Sequence, residues 1–257
     1  MHGGIGGCQA WRGIIDCGQD YGLEHQTTKN LGLESGILLF IYLPISYACM
    51  LMKKPPDDRD VKVCILKNML GLSIFLEQFK KAVALFELLE RSDPPVGVLE
   101  NELFTYRMIA ARDGALSIFH FKCSLEAIKK QLPRCRSIAA KVDAVKIRDS
   151  VKQFSAFFPH TDNVRHAIAH AGERFSSPER MKEHSMKVAR YGPGFAIDEG
   201  GYLLSALHER TYSVGNLGEI FSVRLDQTAI SNLQAVISSV QQAFQAYFEA
   251  RDQPREN

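Results

Sequence analysis

The chain has 257 residues, which is enough for one large domain or for one domain with an additional segment. Its 46% hydrophobic and 23% charged residues are typical of globular proteins, and its net charge of +2 argues against a general electrostatic attraction to nucleic acid, membranes or acidic substrates. The six cysteines form no CxxC pair and have no zinc-site spacing to a histidine pair, so they indicate no zinc site, and a chain of this length is not expected to have the disulfide framework of a small secreted protein. We therefore expect a cytoplasmic protein.

The first 60 residues are predicted to be a weakly ordered segment outside the main fold. Residues 1–35 contain many glycines and have no sustained hydrophobic period. Residues 37–52 are apolar and uncharged, as in a membrane anchor, but they are fewer than the roughly 20 residues of a spanning helix and contain Pro44. We expect no stable membrane insertion, with an anchor as the alternative. The prolines and mixed charges of residues 53–60 indicate a hinge before the main domain.

The domain of residues 61–257 is predicted to be mainly α-helical, a bundle of four to six helices with one small β-hairpin near residues 202–225. Apolar residues recur at helical spacing over residues 61–92, and again from about residue 98 to residue 132. Asp113-Gly114 interrupts the second run, which leaves open two helices or one kinked helix.

The second half of this domain combines shorter elements. A helical run over residues 139–158 ends at Pro159, and the next helix, of about ten residues, is capped near residues 161–163 and stops at Gly172. Residues 175–201 are polar and indicate loops. The remaining predicted elements are a strand over residues 202–214, a turn over residues 215–218, a strand over residues 219–225, and a final helix capped by residues 226–228.

Two imidazoles and a guanidinium lie close together on the short, otherwise apolar helix: Arg165, His166 and His170. His166 and His170 are four positions apart and share a helix face, whereas Arg165 and His170 point about 140 degrees apart. A guanidinium binds phosphate and an imidazole titrates near neutrality, so this set is suited to RNA cleavage, alone or with the same helix of a second subunit.

Two other interpretations of this helix remain open. His166, His170 and Glu173 have the spacing of a metal-binding face of two histidines and one carboxylate, which we consider weaker because Gly172 is expected to end the helix before Glu173. In the other interpretation both histidines satisfy buried polar partners and Arg165 pairs with a carboxylate such as Asp143 or Asp162.

The run Arg165-His166-Ala167-Ile168-Ala169-His170 resembles the motif of the HEPN family, an arginine and a polar residue followed by a histidine after four to six intervening positions. The resemblance covers about residues 61–175. It implies a helical bundle with the motif on a late helix, dimers that bring two motifs together, and in many members metal-independent endoribonucleases of toxin or defence systems. It implies that Arg165 polarises the scissile phosphate, that His170 transfers protons and that His166 supports both.

Basic residues elsewhere are candidates for RNA contacts. Arg107 and Arg112 lie near the predicted helix break and would form an auxiliary substrate-binding patch, with an ordinary surface ion pair as the alternative. The densest basic cluster contains Lys129, Lys130, Arg134 and Arg136, and it has no interleaved aromatic residues for base stacking, so it predicts nonspecific contact at most.

Together with the residue pattern, the resemblance implies an RNA-associated, HEPN-like protein that acts as a metal-independent endoribonuclease. We expect a homodimer, an antitoxin-like protein partner, and no metal or other cofactor. The alternative is a noncatalytic helical interaction module.

Overall fold

The computed structural model of the chain describes residues 58–91, 100–192 and 194–252. The predicted N-terminal segment therefore lies, up to residue 57, outside the described residues, and with it the apolar stretch of residues 37–52. Within the described ranges, no helix combines the length and the hydrophobicity that a membrane crossing requires.

The prediction of a mainly α-helical chain is confirmed. In chain order the α-helices of the described residues are α1 (Asp58–Arg91), α2 (Glu100–Gln131), α3 (Arg136–Ala139), α4 (Ala144–Phe157), α5 (Thr161–Ala169), α6 (Pro178–His184) and α7 (Gln227–Asp252). The same ranges contain two short 3-10 helices, Leu132–Arg134 and Gly172–Phe175. The predicted helices correspond to α1, α2, α4, α5 and α7, while the short helices α3 and α6 are additional.

Helix α2 is continuous through Asp113-Gly114, so the second helical run is one helix and not two. A side chain at Gly114 would approach the Leu225 Cδ2 atom to 2.7 Å and the Ala82 Cβ atom to 3.4 Å. The glycine therefore serves close packing of α2 against α1 and against the residue that follows the last strand, and its helix-breaking tendency is overcome by tertiary contacts.

The core forms where the long helices face one another. Helices α1 and α2 are antiparallel, since Arg107 contacts the Leu89 carbonyl near one end of the pair and the His120 ring stacks on Phe75 further along. The fully buried Phe121 of α2 stacks on the fully buried Phe154 of α4, with 5.7 Å between the ring centroids. Helices α4 and α7 pack against each other, so four helices share this core.

In the part of the chain that the structure describes, five short strands form two antiparallel sheets: β1 (Arg190–Gly192) with β2 (Phe195–Ile197), and β3 (Ala206–His208), β4 (Thr211–Asn216) and β5 (Glu219–Arg224) in that order. The hairpin near residues 202–225 is confirmed for β4 and β5. Its two-residue turn, Leu217-Gly218, has φ values of 52° and 78°, the left-handed conformation of tight hairpin turns.

Three details of the predicted second half are wrong. The first predicted strand is divided into β3 and β4 by a turn at Glu209, which has a φ of 48°. The turn of the next hairpin has two residues instead of four, because Asn216 pairs with Glu219. The region of residues 175–201, expected as loops, contains α6 and the β1–β2 hairpin. These elements are too short for a hydrophobic period to develop.

Candidate functional site

Helix α5 is packed between helix α2 and the β4–β5 hairpin, and this packing fixes which of its side chains face outward. Val164 and Ala167 are each only 1% exposed and anchor the apolar face. The Thr161 hydroxyl donates a hydrogen bond of 2.8 Å to the Phe158 carbonyl at the start of the helix. With the apolar face buried, His166 and His170 are directed away from the core.

The predicted end of this helix is wrong. Helix α5 ends at Ala169, and Gly172 begins a 3-10 helix instead of stopping α5. The Glu173 amide donates to the His170 carbonyl over 3.1 Å, which continues the chain in a tight turn. This turn places the Glu173 side chain back against α5.

His166, His170 and Glu173 form a contiguous polar group. The two imidazole rings lie 4.5 Å apart between centroids, and the His170 Nδ1 atom is 3.0 Å from the Glu173 Oε2 atom. The hydrogen bond and the charge of His170 lower the pKa of the Glu173 carboxyl. A carboxylate on Nδ1 orients the imidazole and leaves its Nε2 atom for proton exchange.

Arg174 lies directly behind this group and is only 3% exposed. Its guanidinium donates to the Ala167 carbonyl in the last turn of α5 and to the Gly215 carbonyl of β4. These bonds satisfy a carbonyl at the helix C-terminus, where a positive charge is favourable. Among the described residues no carboxylate pairs with Arg174, and its Nε atom is buried without a hydrogen-bond partner.

Helix α6 supplies the opposite wall with Arg180 and His184. The His184 Nδ1 atom accepts a hydrogen bond of 3.1 Å from the Leu217 amide in the hairpin turn, so the ring carries its proton on Nε2 when neutral. Burial, followed by the positive charge of Arg174, lowers the pKa of His184. His184 therefore stays neutral to a lower pH than an ordinary histidine and offers an N–H donor.

These elements enclose a small cleft. Its volume is about 140 Å³, and it is lined by His166, His170, Glu173, Arg174, Arg180 and His184. With neutral histidines, the two arginines and one glutamate give this lining a net charge of +1. A cleft of this composition combines proton-transfer groups with a positive potential, which is suited to an anionic substrate.

Arg165, the predicted phosphate ligand, does not line this cleft. Its Cζ atom lies 5.4 Å from the centroid of the Phe119 ring on α2, a cation–π arrangement. Its charge also acts on His120, whose pKa is lowered by desolvation first and by Arg165 second. The structure thus brings His166 and His170 together within one chain and leaves Arg165 on another face of α5.

Neither predicted carboxylate partner contacts Arg165. Asp143 accepts hydrogen bonds of 3.0 Å from the Val145 and Lys146 amides as the N-cap of α4. Asp162 instead pairs with Lys122 of α2. The interpretation of the histidines as buried groups is also wrong, because His166 is exposed and 38% of the His170 side chain is accessible.

The arrangement of Glu173 also bears on the metal interpretation. His170 and Glu173 hydrogen-bond to each other directly, so they are not held apart as two ligands of one ion. Over the ranges that the structure describes, there is no group of three or more histidine, cysteine or acidic side chains that could hold a metal.

The predicted auxiliary residues Arg107 and Arg112 lie away from the cleft lining. The Arg107 Nε and Nη2 atoms donate to the Leu89 carbonyl over 3.1 and 2.7 Å, which joins α2 to the end of α1. Arg112 is exposed on α2. Burial raises the pKa of the Tyr212 phenol, and the nearby positive charge of Arg112 acts in the opposite direction. Likewise, none of the four residues of the predicted basic cluster lines the cleft.

Sequence reasoning missed Arg174, Arg180 and His184. A local signal for α6 exists, because Ser177 is its N-cap, with the hydroxyl accepting from the Arg180 amide over 3.3 Å, and Pro178 is at the first position. No residue of α6 is buried, so an apolar period was lacking. No sequence signal reveals that this helix faces α5.

A second recess of about 150 Å³ lies at the start of α5, between α4, β5 and α7. Aromatic and aliphatic side chains form much of its wall, and its one imidazole, His160, packs on the Phe221 ring. It lacks the paired acid–base groups of the first cleft, which is therefore the stronger candidate for chemistry.

Comparison of the chain with protein-family models, curated proteins and solved structures found no match in any of the three.

Proposed function

We propose that the protein is a cytoplasmic, HEPN-like endoribonuclease that cleaves RNA without a metal ion, in a toxin or defence role. The observation that carries the proposal is the adjacent pair His166 and His170 with Glu173 hydrogen-bonded to His170, in an open cleft of net positive charge. Such a pair provides a general base and a general acid within reach of one phosphodiester.

The chemistry needs no other reactant than RNA. The His170 Nε2 atom takes the proton of a ribose 2′-hydroxyl while Glu173 stabilises the resulting imidazolium. The 2′-oxygen attacks the adjacent phosphorus, the bond from phosphorus to the 5′-oxygen breaks, and protonated His166 gives its proton to that leaving oxygen. The products are a 2′,3′-cyclic phosphate and a 5′-hydroxyl end.

Arg165 enters this proposal through a homodimer. It is exposed on a different face of α5 from the cleft, so within one chain it does not reach the proton-transfer pair. In a twofold dimer the same surface of each subunit meets the other, and Arg165 of one subunit would stabilise the phosphate bound in the cleft of the other. An antitoxin-like protein would act by covering this cleft.

Cleavage of a mixed-sequence RNA in the presence of EDTA tests the enzyme proposal. We expect cleavage by the native chain, products with 2′,3′-cyclic phosphates, and no cleavage of the same sequence as DNA, which lacks the attacking hydroxyl. His170→Ala should reduce the rate about 10²- to 10⁴-fold. A folded His170→Ala protein that cleaves as fast as the native chain would remove the proposal.

The dimer part is tested separately by mixing two inactive chains, Arg165→Ala and His170→Ala. If Arg165 acts across the dimer, half of the randomly mixed dimers contain one intact site, so about a quarter of the native activity returns. If mixing restores nothing although dimers exchange subunits, Arg165 does not act in the partner's cleft.

A noncatalytic interaction module is the second candidate, supported by apolar side chains exposed at one end of the α1–α2 pair. Leu88 is 64% exposed, Phe104 49% and Tyr106 51%. Exposed apolar groups of this kind are typical of protein contacts. In this case Leu88→Asp should abolish the self-association measured by light scattering. Neither the native chain nor His170→Ala should cleave RNA. Unchanged association of the Leu88→Asp chain would exclude this end as the contact.

A further inference from the structure

The wall of the cleft opposite α5 has properties that proton transfer does not use. Arg180 and His184 lie four positions apart on α6, so both project from the same face, and both line the cleft. His184 is held by the Leu217 amide on Nδ1, which makes Nε2 its donor. The Arg180 Nη1 atom forms an ion pair with Glu183 Oε2 at 3.2 Å, and 57% of the Arg180 side chain is exposed.

The buried Arg174 is the second, independent observation. A guanidinium at 3% exposure normally pairs with a carboxylate, yet within the described part of the chain this one donates to two backbone carbonyls and its Nε atom has no acceptor. Its positive charge is therefore only partly compensated by the protein. An anion in the cleft beside it would complete the compensation.

We propose that Arg180 and His184, with the buried charge of Arg174 behind them, form a phosphate-binding subsite. The ligand is a phosphate group that accepts hydrogen bonds from the Arg180 guanidinium and the His184 Nε2–H, with inorganic phosphate as its smallest form. The inference deepens the proposed function and rests on it for the substrate, because the group would be a phosphate of RNA. In this proposal residues of the cleft itself bind the phosphate, independently of Arg165.

Two sources of this phosphate are compatible with the donors, an internal phosphodiester and a phosphorylated RNA end. A terminal phosphate carries more negative charge than an internal diester. Arg174, Arg180 and His184 should therefore bind a terminal phosphate more tightly. The cleft volume of about 140 Å³ is sufficient for a phosphate group.

The test is titration of the full chain with inorganic phosphate, followed by the histidine ring resonances in NMR and by calorimetry. We expect saturable shifts of His184, and Arg180→Gln should weaken phosphate binding at least about tenfold, the usual scale for a charge-assisted hydrogen bond. Lys182→Gln is the matched control, because it removes the same charge from an exposed residue of α6 that does not line the cleft. Equal weakening by both substitutions, or no saturable binding, would overturn the subsite.

Uncleavable 2′-O-methyl RNA with phosphate or hydroxyl ends separates the two sources. Tighter binding of the phosphorylated end, lost in Arg180→Gln, assigns a terminal phosphate, whereas equal weakening of both RNAs by this substitution assigns an internal one. If Arg180→Gln weakens the binding of neither RNA, the proposal that the subsite binds a phosphate of RNA is wrong. Phosphate titration and RNA cleavage in EDTA are separate measurements. A chain that binds phosphate through Arg180 without cleaving RNA keeps the subsite and loses the ribonuclease, and a chain that cleaves RNA without saturable phosphate binding shows the reverse.

Discussion

The α1–α2 pair and the cleft around α5 and α6 are built on opposite principles. Helix α1 buries a regular series of apolar side chains along 34 residues, whereas α6 has seven residues and buries none of them. The first region is stabilised by removing apolar surface from water. In the second, the apolar face of α5 is buried as well, but Arg174 and α6 are held by specific hydrogen bonds, from Arg174 to two carbonyls and from Leu217 to His184. Stability and candidate chemistry therefore lie in separate parts of the chain.

The largest expected effect on stability is in the helical core. Phe121→Ala removes a fully buried ring that stacks on Phe154 and should lower the free energy of unfolding by about 3–5 kcal/mol in urea denaturation. Phe104→Ala, at a ring that is 49% exposed, is the matched control and should change it by less than about 0.5 kcal/mol. Equal losses would contradict the assignment of the core.

The next effect comes from the hydrogen bonds that support the cleft. Arg174→Met leaves the Ala167 and Gly215 carbonyls without their donor and should cost about 1–3 kcal/mol of unfolding free energy. Arg180→Met removes a cation whose side chain is 57% exposed, so thermal and urea unfolding should remain close to native. If Arg174→Met is as stable as the native chain, Arg174 does not hold α5 to β4.

A smaller effect should appear in the pH dependence of stability. Since the pKa of His184 is lowered from 6.5 on folding, by burial first and then by Arg174, the unfolded chain binds more protons between the two values. The contribution of His184 to the free energy of unfolding is therefore fully present above pH 6.5, and it is lost as the pH falls toward the lower pKa of the folded state. His184→Asn keeps an acceptor for Leu217 and should reduce this dependence. An identical pH profile of unfolding in the variant would be the contrary result.

The smallest effect concerns the surface ion pair between α2 and α5. Lys122 contacts Asp162, and their side chains are 18% and 66% exposed. A double-mutant cycle with Lys122→Met and Asp162→Asn should give a coupling free energy below about 1 kcal/mol. A coupling of several kcal/mol would mean that this pair, and not the apolar face of α5, positions the helix.

How much of the fold the sequence predicts depends on the length of each element. The long helices have enough turns for their apolar period to be recognised, whereas α3, α6, β1 and β2 are too short for one. Asp113-Gly114 resembles a helix break in the sequence, but it lies inside α2. The glycine is needed for close packing against Leu225, and this contact depends on tertiary structure.

The candidate site divides in the same way. The shared face of His166 and His170 follows from helical geometry and was predicted. The return of Glu173 to His170 depends on a 3-10 turn after α5, which replaced the expected stop at Gly172. The approach of Arg180 and His184 depends on how α6 docks on the hairpin turn, and local sequence contains no information on that contact.

The central claim is that His170 serves chemistry and contributes little to the fold. RNA cleavage in EDTA and urea unfolding, measured on the same preparation of His170→Gln, test it most directly. The account predicts a rate at least about 100-fold below native with an unfolding free energy within about 0.5 kcal/mol of native. Native cleavage rates in this variant, or a loss of activity that only accompanies unfolding, would contradict it.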